Sequence, residues 1–146
     1  MKISEWISRH PGRAITVPTD CSLNEIMDRL LAEECMRDIY VVDDNGQLIG
    51  HLSRKKLANL VLAEHQPVHT RRQLMMRIAG GSAQELMDTE FTFARPEEEL
   101  DNVLHWQLEH DVEDMPVINV DGILVGVINL RVVLREMMQD NNQEVS

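Results

Sequence analysis

The stretch Leu48-Ile49-Gly50-His51-Leu52-Ser53 decides the fold, because it returns later in the chain as Leu124-Val125-Gly126-Val127-Ile128-Asn129. Each copy follows a turn glycine, Gly46 or Gly122. Upstream, Ile39-Tyr40-Val41-Val42-Asp43 has its counterpart, at the same spacing, in Met115-Pro116-Val117-Ile118-Asn119. Further back, Leu23, Ile26, Met27 and Leu31 match Leu100, Val103, Leu104 and Leu108 at a spacing one position longer, so a single gap reconciles the two copies. Two copies of a unit this size form a pair of halves rather than a solenoid. A cleft between similar halves is a natural place for a small ligand.

Each copy reads as strand, helix, strand, strand, helix. Residues 14–17 form a short strand stopped by Pro18. Ser22 opens a helix, with Glu25 placed in its first turn to complete a capping box, and Leu23, Ile26, Met27, Leu30 and Leu31 give it an apolar stripe. Residues 39–42 and 48–52 are strands joined by the turn formers Asp43-Asp44-Asn45-Gly46. A helix begins at Arg54, with Leu57, Leu60 and Val61 on one face, and runs to about Glu64. In the second copy residues 91–94 are the first strand, and Pro96 and Glu97 to Glu99 suit a helix start. Leu100, Val103, Leu104 and Leu108 then carry the stripe. Residues 116–120 and 124–128 form the second hairpin, and Val133, Leu134, Met137 and Met138 mark the last helix. Before each copy lies a leading segment, with Ile3, Trp6 and Ile7 matching Leu86 and Met87; Trp6 is expected to anchor in the core, with a partner contact as the alternative. The expected division is residues 1–66, first repeat with its leading helix; 67–81, a connecting helix (Leu74, Met75, Ile78) ending at Gly80-Gly81; 82–140, second repeat; and 141–146, a frayed polar tail.

Bulk composition limits the function. The 146 residues are 43% hydrophobic with a formal net charge of -11, so the chain is globular and ill suited to nucleic acid, whose phosphates require positive charge. No apolar run reaches the length of a membrane span, and the segment from Met1 to Arg13 lacks the apolar stretch of a secretory signal. Cys21 and Cys35 read as ordinary thiols, and the expected location is the cytoplasm. Residues 83–121 hold twelve acidic side chains and one basic one, whereas residues 54–77 hold six basic and one acidic. That asymmetry fits either solvated helix faces or a polar assembly with a partner or a second copy.

The order of elements, with the Gly-apolar-apolar-Ser/Asn ending of each hairpin, resembles the cystathionine-β-synthase (CBS) domain. The resemblance covers nearly all of the chain, from about Met1 to Met138. It implies an α/β (α+β) fold of two β-α-β-β-α repeats packed through their sheets with pseudo-two-fold symmetry. It also implies dimerisation into a disc, and regulation of an enzyme, channel or transporter by adenine nucleotides or related ligands. In the family a Ser or Thr follows the Gly and two apolar residues, and an Asp one helical turn further on often binds ribose. Here Ser53 keeps the hydroxyl but Lys56 replaces the Asp; the second copy has Asn129 and Val132. Neither copy offers the ribose carboxylate.

The residues themselves point to an anion. Ser53 lies where strand passes into helix, followed at once by Arg54, Lys55 and Lys56; hydroxyl, cations and helix-start amides together form a cradle for phosphate. The competing reading is a helix cap with solvent-facing cations. The candidate binding set is Ser53, Arg54, Lys55, Lys56, Val17 and Tyr40, with Asn129 and Arg131 at the second junction. Candidate ligands are AMP, ADP, ATP and S-adenosylmethionine, none of them a required cofactor. No catalytic or metal set is expected: the histidines form no zinc-hydrolase pattern, and Ser53 has no neighbouring acid–base pair to activate it. The expected function is a non-catalytic regulatory module that signals to an unidentified enzyme or transporter, in a homodimer built on the stripes beginning at Leu23 and Leu100. The alternatives are a ligand-free dimerisation module and a divalent-cation-responsive module of a transporter, using acidic residues 97–114.

Overall fold

The computed structural model describes residues 1–11, 14–33, 37–64 and 81–145. The expected connecting helix with its Gly80 stop, and Cys35, lie outside them. Along the described residues the elements are α1 (Ile3–Arg9), β1 (Ile15–Pro18), α2 (Leu23–Leu31), β2 (Ile39–Val42), β3 (Leu48–Leu52), α3 (Arg54–Glu64), α4 (Ala83–Leu86), α5 (Leu100–Glu109), β4 (Asp114–Ile118), β5 (Leu124–Asn129) and α6 (Leu130–Val145). They pack as two compact units. One is Ile15–Phe91; the other joins Met1–Ala14 to Thr92–Ser146.

In the first unit β1 runs parallel to β2, with Val17 opposite Val41, and β2 runs antiparallel to β3, with Tyr40 opposite His51. Ile15, Val17, Ile26, Leu30, Ile39, Val41, Leu52 and Leu57 fill its core. The second unit has the antiparallel pair β4–β5 over Leu100, Val103, Leu104, Met115, Val117, Ile128 and Val133. Each fully buried Leu, Ile or Val contributes roughly 1.5–3 kcal/mol, which is why the strands and helix stripes, rather than the loops, carry the repeat.

The hairpin loops agree atom for atom. The Asp43 carboxylate accepts from the amides of Asn45 (2.9 Å) and Gln47 (3.0 Å). The Asn119 side-chain oxygen does the same for Asp121 (2.9 Å) and Ile123 (3.0 Å). Gly46 and Gly122 follow at φ 82° and 81°, the left-handed region that only glycine enters cheaply. A side chain with one acceptor oxygen is what the loop needs, so Asp and Asn serve alike.

The leading segments are exchanged. The amides of Ile3 and Ser4, which open α1 without a side-chain cap, donate to the carbonyls of Glu98 (3.0 Å) and Pro96 (2.9 Å) ahead of α5. The amides of Ala83 and Gln84, opening α4, donate to the carbonyls of Cys21 (2.8 Å) and Thr19 (3.0 Å) ahead of α2. Orphan amides at a helix start must find acceptors, and here each repeat supplies them to the other's leading helix. Trp6 thus anchors in the core of the second-repeat unit, to which α1 belongs. The repeated hairpin glycines are the seats. A Cβ built on Gly50 would lie 2.0 Å from the Met87 Sδ and 2.8 Å from its Cβ; on Gly126 it would lie 3.0 Å from Ile7 Cδ1.

Four expectations change. Residues 91–94 form no strand; Ala94 alone bridges Val117 in parallel, its amide donating to the Pro116 carbonyl at 2.9 Å. Pro116 stands where the first repeat has Tyr40, and it has no N–H with which to continue that ladder toward Thr92. Leu31 and Leu108, equivalent in the repeat, are 78% and 58% exposed, so the helix stripes end at Leu30 and Gln107. The polar tail is helical to Val145, since residues 140–145 contain neither Gly nor Pro to stop α6. The capping box is half made: the Glu25 amide donates to Ser22 Oγ (3.2 Å), while the Glu25 carboxylate lies 3.5 Å from the Cys21 thiol. Burial, with Glu25 beside it, pushes that thiol's pKa up, which keeps it protonated and unreactive.

The two seats predict different costs. Gly50→Ala drives a Cβ into the stem of Met87 and should destabilise by about 1–3 kcal/mol. Gly126→Ala meets the movable tip of Ile7 and should cost clearly less. Urea unfolding of the two variants checks this, and equal losses would contradict it.

Candidate functional site

The first strand-to-helix junction is built by Asp38, ahead of β2, and by His51 and Ser53 around the end of β3. Ser53 caps α3: its Oγ accepts from the Lys56 amide at 3.1 Å, and its carbonyl from the Leu57 amide at 2.9 Å. Asp38 is a second cap. Its Oδ1 accepts from the Arg54 amide at 2.8 Å, and its Oδ2 lies 3.2 Å from His51 Nε2. That last approach has the distance of an ion pair without the angle of a hydrogen bond, as His51 Nε2 has no hydrogen-bonded partner. The His51 ring stacks on Tyr40 with centroids 5.3 Å apart and planes 17° apart. Burial pushes the Asp38 carboxyl up; contact with His51, the Arg54 amide and the charge of Arg54 outweigh it, and the group titrates below its ordinary value.

The expected cations share the first turn of α3, but they are not equivalent. Lys56 Nζ lies 3.0 Å from Asp88 Oδ1, with the two side chains 33% and 54% exposed. Arg54 and Lys55 lie on the exposed face. The amides of Arg54 and Lys56, expected to help hold a phosphate, already serve Asp38 and Ser53. An anion here would meet side-chain cations rather than those amides. Val17 and Tyr40 are each about 1% exposed, on β1 and β2, and Tyr40 is further covered by His51. As they stand, neither offers surface to a ligand.

Asn129 and Arg131 belong to the second-repeat unit. Asn129 caps α6 through its Oδ1, 3.0 Å from the Val132 amide, and donates through Nδ2 to Asp114 Oδ1 at 2.7 Å. Arg131 is exposed on the first turn of α6. Gln107, fully buried, braces this junction by donating to the carbonyls of Glu113 (3.0 Å) and Ile128 (3.1 Å). Sequence reasoning missed Asp38, Asp88 and Asp114. Asp38 and Asp114 are equivalent positions at the entry to the repeated strands, so the repeat itself carried that signal. Asp88 is remote from Lys56 along the chain and has no equivalent that would single it out.

Ser53 Oγ accepts from the Lys56 amide of its own helix, the role of a helix cap. Among the described residues no three His, Cys, Asp or Glu side chains gather as a metal site requires, and no helix is long and apolar enough to cross a membrane.

Asp38→Ala removes the charged cap and should cost about 1–2 kcal/mol at pH 7. The folded carboxyl titrates below the unfolded one, so its contribution is complete above the ordinary aspartate value of about 3.9 and is lost as pH falls through the lower folded value. The gap between parent and variant should therefore persist from pH 8 to 5 and close only in strong acid. Denaturant titrations across that range read it; a gap that closes near pH 6 would contradict the assignment.

The CBS-domain family matches residues 3–63 and 83–139. No curated protein matches the chain. Among solved structures, the CBSX2 protein in complex with AMP is 21% identical, with a TM-score of 0.74 over 96% of this chain and 98% of that one. A putative acetoin utilization protein (AcuB) from Vibrio cholerae is 22% identical, with a TM-score of 0.73 over 100% and 97%. The cytosolic domain of the Mg2+ channel MgtE in complex with ATP is 23% identical, with a TM-score of 0.62 over 84% of this chain but 44% of that one. At these identities the likeness speaks for the fold alone. With matches over both repeats, the β-α-β-β-α order in the first unit, and the same order in the second with the Ala94 bridge in place of its first strand, the chain belongs to the CBS-domain family as a tandem pair.

Proposed function

We propose that the chain is a non-catalytic regulatory module that takes a small anionic ligand, an adenine nucleotide first among them, at the start of α3 and signals to a partner protein. One observation carries this reading: the first turn of α3 already holds an anionic oxygen, the Asp88 carboxylate 3.0 Å from Lys56 Nζ. Arg54 and Lys55 add two more cations to the same helix turn, and a phosphate offers a higher charge density than a carboxylate to Lys56. The AMP and ATP complexes of similar folds favour an adenine nucleotide over other anions. Lys56 in place of the family's carboxylate trades ribose recognition for phosphate recognition. Signalling requires that ligand prefer one arrangement of the module, and an enzyme or a transporter would read it.

A homodimer fits the same module. Leu31 and Leu62 in one unit match Leu108 and Met138 in the other at the repeat offsets, and all four are exposed at 58–78%. A repeated apolar pattern left on the helix surfaces is suited to a second copy of the chain. Light scattering should read a dimer at micromolar concentration; a monomer would contradict it.

Ligand choice is tested by titrating AMP, ADP, ATP, S-adenosylmethionine and adenosine calorimetrically. AMP should bind better than adenosine, and its affinity should fall as salt is added. Lys56→Ala should weaken AMP about tenfold and adenosine little, while Arg135→Ala, on α6 in the other unit, should do less. Equal losses in the two variants, or no nucleotide binding by the parent, would leave Ser53 as a helix cap and the chain as a scaffold.

A further inference from the structure

Lys56 and Asp88 are joined by more than an ion pair. Asp88 sits just after α4, on the exchanged leading segment, and its backbone is bound to the free edge of β3. The Asp88 amide donates to the His51 carbonyl at 2.9 Å, and the His51 amide to the Asp88 carbonyl at 2.9 Å. Met87 packs over Gly50 immediately before, so the Asp88 side chain is delivered to one place by three fixed contacts. Its carboxylate lies 3.0 Å from Lys56 Nζ. Both partners are part of the same compact unit.

We infer that Asp88 is an internal competitor for the anion site, a carboxylate that the exchanged segment holds against Lys56 until an anionic ligand displaces it. The inference rests on the ligand reading above and deepens it. Two charges act in one direction. Asp88 neutralises the ammonium that a phosphate needs, and, as a carboxylate beside the incoming anion, it repels that anion. Its side chain is half exposed, so displacement leaves the carboxylate in water rather than stranded in the core. The pair is therefore weak enough to exchange, as surface pairs are. A neutral ligand has no use for Lys56 and feels neither effect. The device sets a threshold: only a ligand of higher charge density than a carboxylate opens it, and opening frees a side chain on the segment that links the two repeats.

Asp88→Asn tests this, because it keeps the shape and the backbone bridge and removes only the charge. AMP and adenosine are titrated calorimetrically into the parent and the variant at low salt. The inference expects AMP to bind the variant about threefold to tenfold more tightly, adenosine to change by less than twofold, and the ligand-free variant to melt no higher than the parent. AMP binding by the variant alone would support Asp88 as the competitor while overturning the nucleotide reading for the parent chain. Unchanged or weaker AMP binding, or a parallel gain for adenosine, would overturn the competitor while leaving the nucleotide site standing. Binding of neither ligand to either protein would overturn both readings.

Discussion

The seating of one short segment on the edge of another repeat's hairpin is the constraint from which the rest of the molecule follows. Strand β3 ends a sheet, and a sheet edge carries unpaired amides and carbonyls that must be covered. In the first-repeat unit the chain around Asp88 covers it through a reciprocal pair of hydrogen bonds with His51, each 2.9 Å. Close approach of that segment requires that β3 lack a side chain at Gly50, where Met87 lies. The same segment brings its helix α4 against the carbonyls of Thr19 and Cys21, which lead into α2. Glycine in the hairpin, exchange of the leading helices and the start of the next helix are thus one arrangement, and it is repeated with Ile7, Gly126 and the turn before α5.

This arrangement also sets the chemistry of the junction. A strand that ends at Ser53 delivers three cations onto the first turn of α3, and the segment that covers the strand delivers Asp88 to one of them. Asp38 and Ser53 take up helix amides that a bare helix start would offer to a phosphate. Beyond those caps, the first turn of α3 presents side-chain charge, with Lys56 paired to Asp88. The second junction lacks that charge: Asn129 is held between Asp114 and its own helix, and Val132 stands where the first repeat has Lys56. The two repeats share their hairpin backbone and differ in the charge at the junction.

Much of this could be read from the sequence, because much of it is local or periodic. The hairpins, the turn glycines and the caps at Ser22 and Ser53 involve residues within a few positions of one another, and the internal repeat checked each hairpin against its twin. What the sequence hid depends on distant partners. Nothing local says that Ile7 rests on Gly126 or that Asp88 meets Lys56. The stripes at Leu31 and Leu108 extended past the true buried face, since a helical period alone does not say where a neighbouring element ends. The strand expected over 91–94 failed for a local reason, the missing amide of Pro116 across the ladder. That deficit was visible in the sequence only to a reader who already knew which strand lies beside which.

Native-state hydrogen exchange of individual amides tests the central claim most directly. If the exchanged segment is part of the fold of the first repeat, the His51, Ala83, Gln84 and Asp88 amides should exchange with the same protection as Val41 in the middle of the sheet, all limited by one cooperative opening of the unit. Exchange of Ala83, Gln84 and Asp88 at least a hundredfold faster than Val41, with His51 following them, would show a segment that opens on its own and would contradict the account.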